Sequence, residues 1–215
     1  MLSTALAGLL LGFTAAPAAA EDGFRYWSYF HLNGDEFVFA QTGPGDFTPE
    51  DGDVEGWRFG TSTQSQAIWP RVDLEQVDFE SVCGDAQAAE DEKRVAVLID
   101  FGTTADAPDG AEVPEPVAEC AVVPADANGQ QTLQAVADVR ADGAMVCGID
   151  GYPAKGCGEA IKDAQVPTDE QPVEFALASS DAAEDGNDWV PIAAIGVILA
   201  MGIAAYPMFR RNRDA

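Results

Sequence analysis

Arg94-Val95-Ala96-Val97-Leu98-Ile99-Asp100-Phe101 is the stretch whose reading decides the fold. Its near-continuous apolar run describes a central strand buried on both faces. Before it, Leu74, Val77 and Val82 recur at helical spacing over residues 74–82. After it, a loop through Pro114 and Pro116 leads to a strand over 118–123, Asn128 caps a helix carrying Leu133, Val136, Ala137 and Val139, and residues 145–149 form a last strand. Further upstream, the Asp51-Gly52-Asp53 turn feeds a strand, Val54-Glu55-Gly56-Trp57-Arg58-Phe59. The mature chain opens on a hairpin: the aromatic alternation Phe24-Arg25-Tyr26-Trp27-Ser28-Tyr29-Phe30, the turn Asn33-Gly34-Asp35, and a return strand over 36–41. The expected fold is α+β, a small mixed sheet with one main helix over one face, followed by one C-terminal transmembrane helix.

The two ends carry addressing signals. Residues 6–13 are apolar but too few to span a bilayer, and Ala16-Pro17-Ala18-Ala19-Ala20 supplies the small residues that signal peptidase requires, so 1–20 reads as a signal peptide. Residues 189–209 are apolar throughout, enough at 1.5 Å per residue to cross a ~30 Å hydrocarbon layer. Arg210, Arg211 and Arg213 follow at once, which places the tail 210–215 in the cytoplasm and the domain outside. Between them, residues 164–188 are rich in Asp, Glu, Ser, Ala and Pro, a composition expected to form an acidic disordered linker. The organisation expected is signal 1–20, extracellular globular domain 21–163, linker 164–188, span 189–209 and tail 210–215, in a single-pass protein of the cell membrane.

With 37 acidic against 11 basic residues and a net charge of -26, the surface repels phosphate backbones, which excludes nucleic acid as a partner. Four cysteines, Cys83, Cys120, Cys147 and Cys157, stand in the exported part, so disulfides are expected and three pairings exist. Cys147 with Cys157 and Cys83 with Cys120 is preferred: the first closes the loop around Gly151-Tyr152-Pro153, the second ties the helix ending at Cys83 to the strand near Cys120. No cysteine pair has zinc-ligand spacing, and His31 is the only histidine. No Cys-x-x-Cys, nucleophile elbow, phosphate loop or dinucleotide fingerprint appears, so no catalytic residue, metal or cofactor is assigned and a non-enzyme is expected.

Two segments, Tyr26-Trp27-Ser28-Tyr29-Phe30-His31-Leu32-Asn33-Gly34 and Pro49-Glu50-Asp51-Gly52-Asp53-Val54-Glu55-Gly56-Trp57-Arg58-Phe59, resemble the signature of transcobalamin-C-terminal-like β-grasp domains. The half of those domains that comes first resembles Thr132-Leu133-Gln134-Ala135-Val136 and Val146-Cys147-Gly148-Ile149-Asp150-Gly151, which stand second here, as in a circular permutation. The ectodomain, including Cys147-Gly148-Ile149-Asp150-Gly151-Tyr152-Pro153, also resembles an uncharacterised family of anchored actinobacterial proteins often encoded beside energy-coupling-factor vitamin transporters. The resemblances imply a β-grasp-like sheet, a vitamin- or corrinoid-like ligand and a transporter partner of that type.

On this reading Trp27, Tyr29, Asn33, Trp57 and Tyr152 are the candidate ligand-binding residues, a flat aromatic surface for a planar molecule. The competing reading fills the core with Trp27 and Trp57. It leaves a protein of another class, an accessory subunit that contacts a transporter and binds no ligand.

Overall fold

The computed structural model describes residues 21–178 except Asp109 and Asp169. The expected signal peptide, membrane span and tail, and residues 179–188 of the linker, lie outside the described residues. Among the described residues no helix is long and apolar enough to cross a membrane.

Strand β1 (Glu21–Asn33) turns at Gly34, whose φ of 68° favours a residue without Cβ, and returns as β2 (Glu36–Phe39) with Asn33 opposite Glu36. Strand β3 (Val54–Ser62) lies antiparallel on the other side of β1, with Trp27 opposite Phe59 and Tyr29 opposite Trp57. The apolar run from Val95 to Ile99 lies in β4 (Glu92–Asp100), parallel to β3, and β5 (Val117–Pro124) is antiparallel to it. A separate two-stranded sheet is built by β6 (Val139–Asp142) and β7 (Met145–Ile149). Two further strands follow, β8 (Glu159–Ala164) antiparallel to the start of β1, and β9 (Ala176–Leu177) parallel to β5. The main sheet therefore runs β2-β1-β3-β4-β5-β9 with β8 also on β1, a mixed sheet in an α+β domain.

The helices differ from expectation. Asp78 and Asn128 each cap a helix reciprocally, with Ser81 and Gln131, but α1 (Phe79–Cys83) and α2 (Gly129–Gln134) are short. Val139, assigned by its apolar spacing to the second helix, instead begins β6, because the chain turns at 135–138 to form the small hairpin. Nor is β7 the last strand. Cys83 is bonded to Cys120, fastening α1 to β5, and Cys147 to Cys157, closing the loop after β7.

Strand pairing sorts side chains onto two faces. Trp27, Tyr29, Trp57, Phe59, Val97 and Ile99 share one, covered by Leu133 of α2 and by Val146, Ile149 and Tyr152 of the small hairpin and its loop. At about 1.5–3 kcal/mol for each large side chain removed from water, this cluster is the main source of stability. Phe30, Val54, Arg58, Ala96, Leu98 and Asp100 share the other, covered by α1, by residues 63–78 and by residues 165–178.

That second face contains an ion network. Arg58 and Asp100, fully buried and opposite each other on β3 and β4, pair with Nε 3.3 Å from Oδ2, and Arg58 Nη2 lies 3.2 Å from Asp106 and 2.8 Å from Glu170. Arg71 donates to both oxygens of Asp100. Burial pushes the Asp100 carboxyl up, but the Arg71 hydrogen bonds and the two guanidinium charges outweigh it and hold the group below the usual carboxylate range.

The expectation of a disordered linker from 164 is corrected over its first part. Val173 N–H donates to Arg71 C=O, Phe175 is buried among Val54, Leu98 and Ala118, and β9 pairs with β5. Composition is a poor guide here because one charge and one ring with specific buried partners outweigh the surrounding polar residues.

Candidate functional site

Strand β1 is longer than either neighbour on its outer edge. β2 covers residues 30–33 and β8 covers 21–25, so at Tyr26, Trp27 and Ser28 no strand is paired on that side. Two clefts open there, one on each side of Val146, and both reach Tyr26 and Trp27. The first, about 550 Å³, lies between β1 and the loop closed by Cys147–Cys157, with Phe59 and Pro153 as apolar wall and Arg25, Lys155 and Glu159 as polar rim. The second, about 380 Å³, takes its floor from Tyr29 and Trp57 and its sides from Phe39, Pro44 and Met145.

The rim is ordered by charge. Arg25 donates to Asp106 C=O at 3.2 Å and Ala107 C=O at 3.0 Å and pairs with the exposed carboxylate of Glu159. Lys155 is exposed and makes no ion pair among the described residues. The loop behind is held by Arg140, which donates to the carbonyls of Cys147, Pro153 and Gly156, each at 2.8 Å. The Tyr152-Pro153 peptide bond in this loop is cis.

Four of the five expected binding residues come together, but as core. Trp27, Tyr29, Trp57 and Tyr152 are each no more than 5 % exposed. Trp27 packs edge-on to Phe101 at 5.4 Å and donates from Nε1 to Tyr152 C=O at 3.2 Å, while Tyr29 stacks on Trp57 at 4.6 Å. Tyr152 meets Phe59 and Phe101 edge-on, and its hydroxyl is buried without a hydrogen-bond partner. Burial, with the charge of Asp106, raises its phenol pKa. Asn33 is not part of the group: it sits at the hairpin turn, six residues along β1 from Trp27, about 20 Å at 3.3 Å per residue.

The flat exposed surface expected of these residues is therefore absent. Trp27 and Tyr29 fall on the covered face with Trp57, and only their edges line the clefts. Among the described residues the aromatic side chains that do face solvent are Phe24, 57 % exposed, Trp69, 48 % exposed, and Phe39 at the end of β2. Arg25, Phe59, Lys155 and Glu159 were missed. Their signal lay in long-range pairing, since Arg25 meets Glu159 only through the β1–β8 register.

Beneath the second cleft lies a second buried polar group. The Tyr29 hydroxyl donates to Glu55 Oε1, His31 Nδ1 is 4.0 Å from that oxygen, and Glu55 Oε2 has no partner. A side-chain carbon on Gly129 would collide with the Tyr29 hydroxyl, so α2 approaches this pair only through glycine. Burial, reinforced by Asp53 and opposed by the Tyr29 hydrogen bond and by Lys93, pushes Glu55 up to about 7. Burial lowers His31. Lys93 itself donates to Pro49 C=O and Ala127 C=O, both at 2.6 Å, rather than to the acid.

Among the described residues no group of three or more His, Cys, Asp or Glu could hold a metal ion. A family model described as the SCO2322-like domain matches residues 19–162, most of the chain. No curated protein and no solved structure matches it.

Proposed function

We propose that this chain, which belongs to the SCO2322-like domain family, is a membrane-tethered exported protein that captures a small vitamin-like ligand at the open edge of β1 and passes it to a transporter in the same membrane. The observation that carries this reading is the cleft of about 550 Å³ beside Trp27. Its volume lies in the range that small-molecule sites occupy, roughly 300–1,000 Å³, and its walls are apolar with a few convergent polar groups. Two disulfides suit an exported domain. The resemblances noted in the sequence supply the rest of the proposal, a β-grasp-like ancestry and an energy-coupling-factor-type transporter as partner. The cleft favours a vitamin built on one or two planar rings over a whole corrinoid, and the reading is of a binder without catalysis.

A second reading, an accessory subunit without ligand, is favoured by a different surface. Trp69 packs on Phe30 at 5.5 Å beside Phe37 and Pro70 and stays 48 % exposed, an apolar patch suited to a protein contact. The two are separated by a thermal-shift screen of the full-length chain in mild detergent, under oxidising conditions, against B vitamins and corrinoids. A ligand-dependent rise of several degrees, reduced by Lys155→Ala or by Val146→Trp, which fills both clefts, supports capture. A silent panel, with crosslinking to a transporter that Trp69→Ser abolishes, supports the accessory role instead.

A further inference from the structure

We propose that the main chain of Trp27 is the recognition element of this site, and that it reads a planar heterocycle carrying a hydrogen-bond donor and an acceptor on adjacent atoms, a lactam or imide edge. The inference rests on the ligand-capture reading and adds to it the chemistry that the ligand must present.

The argument is one of strand phase. In an antiparallel pair, successive residues point their N–H and C=O alternately to one neighbour and the other. The Ala40 N–H donates to Tyr29 C=O at 2.9 Å, and Asn33 opposite Glu36 closes the two-residue turn, so the odd-numbered residues of this part of β1 address the outer edge. Tyr29 is met there by Ala40, and Arg25 stands opposite Glu159 of β8. Trp27 lies between them, its N–H and C=O aimed outward at a place where neither β2 nor β8 is paired. The clefts on both sides of Val146 reach this residue.

A donor and an acceptor of one extended residue point the same way, a few ångströms apart. A neighbouring strand would answer them with its own peptide group, but the ends of β2 and β8 leave an interval of three residues, too short for a peptide strand to enter. A ring edge bearing N–H beside C=O fits the interval and answers both groups. Tyr26 and Val146 border both clefts, so the ring has apolar contacts, and Lys155 and Glu159 at the rim of the larger cleft meet polar substituents. Main-chain groups held by the sheet lose no rotamer freedom on binding, which makes them efficient in discrimination.

The test uses the full-length chain, 15N-labelled in detergent, with two probes that share a ring system: lumazine, which has the imide edge, and 1,3-dimethyllumazine, in which both N–H donors are methylated. The expected result is that lumazine moves the Trp27 main-chain amide resonance and that the dimethyl compound binds at least about tenfold more weakly, since one lost bond also leaves its protein partner unanswered. Equal binding of the two probes, or binding of lumazine that leaves the Trp27 amide in place, overturns the edge assignment. If the vitamin panel raises the melting temperature while lumazine does not bind, capture stands and this recognition element is wrong. If neither the panel nor lumazine binds, both fall.

Discussion

Glu55 and Arg58 stand three residues apart on β3, both fully buried, on opposite faces of the sheet, and their environments are opposites. Arg58 meets three carboxylates and shares two of them, Asp100 and Glu170, with Arg71, so its face carries a paired network. Glu55 meets a tyrosine hydroxyl and a histidine nitrogen at 4.0 Å, and the nearby ammonium of Lys93 is spent on two carbonyls. One strand thus handles buried charge in two ways, by pairing it and by keeping its proton on. Pairing fastens distant segments, whereas protonation makes the site sensitive to pH.

The sharpest way to break the contrast is Arg58→Met, which removes the cation, leaves Asp100 with Arg71 alone and leaves buried Asp106 without an ion-pair partner among the described residues. A loss of about 3–5 kcal/mol is expected, measured by urea unfolding, because an uncompensated buried charge costs far more than the pair contributes. Replacing Glu55 by Gln tests the other side. The folded carboxyl titrates near 7 against an unfolded value of 4.5. Between those values the folded state retains a proton that the unfolded state has released, so the parent's stability falls as pH rises through this window and then levels off. The variant is expected to be more stable by on the order of 2–3 kcal/mol at pH 8 and unchanged at pH 4, read from the difference between the two stability–pH curves. A difference that does not vary with pH would mean that Glu55 is ionised in the fold.

Smaller changes sharpen the comparison. Glu170→Gln weakens the contact between residues 165–178 and Arg58 without baring a charge, since Asp106 and Asp100 remain; about 1–2 kcal/mol is expected, with faster hydrogen exchange at Val173 and Ala176. Arg94 and Asp51 form an ion pair at 3.1 Å with both side chains partly in solvent. There Arg94→Ala should move the melting temperature by no more than about 2 °C, as exposed pairs are screened by water and salt.

Much of the scaffold was legible. The Val-rich run of β4 is buried on both faces, and Asn33-Gly34-Asp35 sets a tight hairpin turn; both signals are local. β8 and β9 were not, since Glu159–Ala164 and Ala176–Leu177 are mostly polar or small and become strands only by hydrogen-bonding to β1 and β5, far away in sequence. The site was half legible for a related reason. Alternation told that Trp27 and Tyr29 share a face, but which face is covered depends on α2 and the β6–β7 hairpin, and nothing local encodes that. Glu55 and Arg58 read as ordinary strand charges for the same reason, their partners lying on other elements.

The position of β9 has a mechanical consequence. The chain leaves the described fold at Ala178, beyond the last cysteine, Cys157, so no covalent bond reinforces residues 158–178. A pull on that end is taken first by the two-residue strand β9, then by the Phe175 ring, then by Val173 and Glu170, each contact released in turn. Cys83–Cys120 holds α1 against β5 throughout. Under load, therefore, residues 170–178 pay out as extra length while β8 and the rest of the sheet that bears the clefts stay intact, and the distance from the fold to the pulled end grows with tension before the shape of the fold changes.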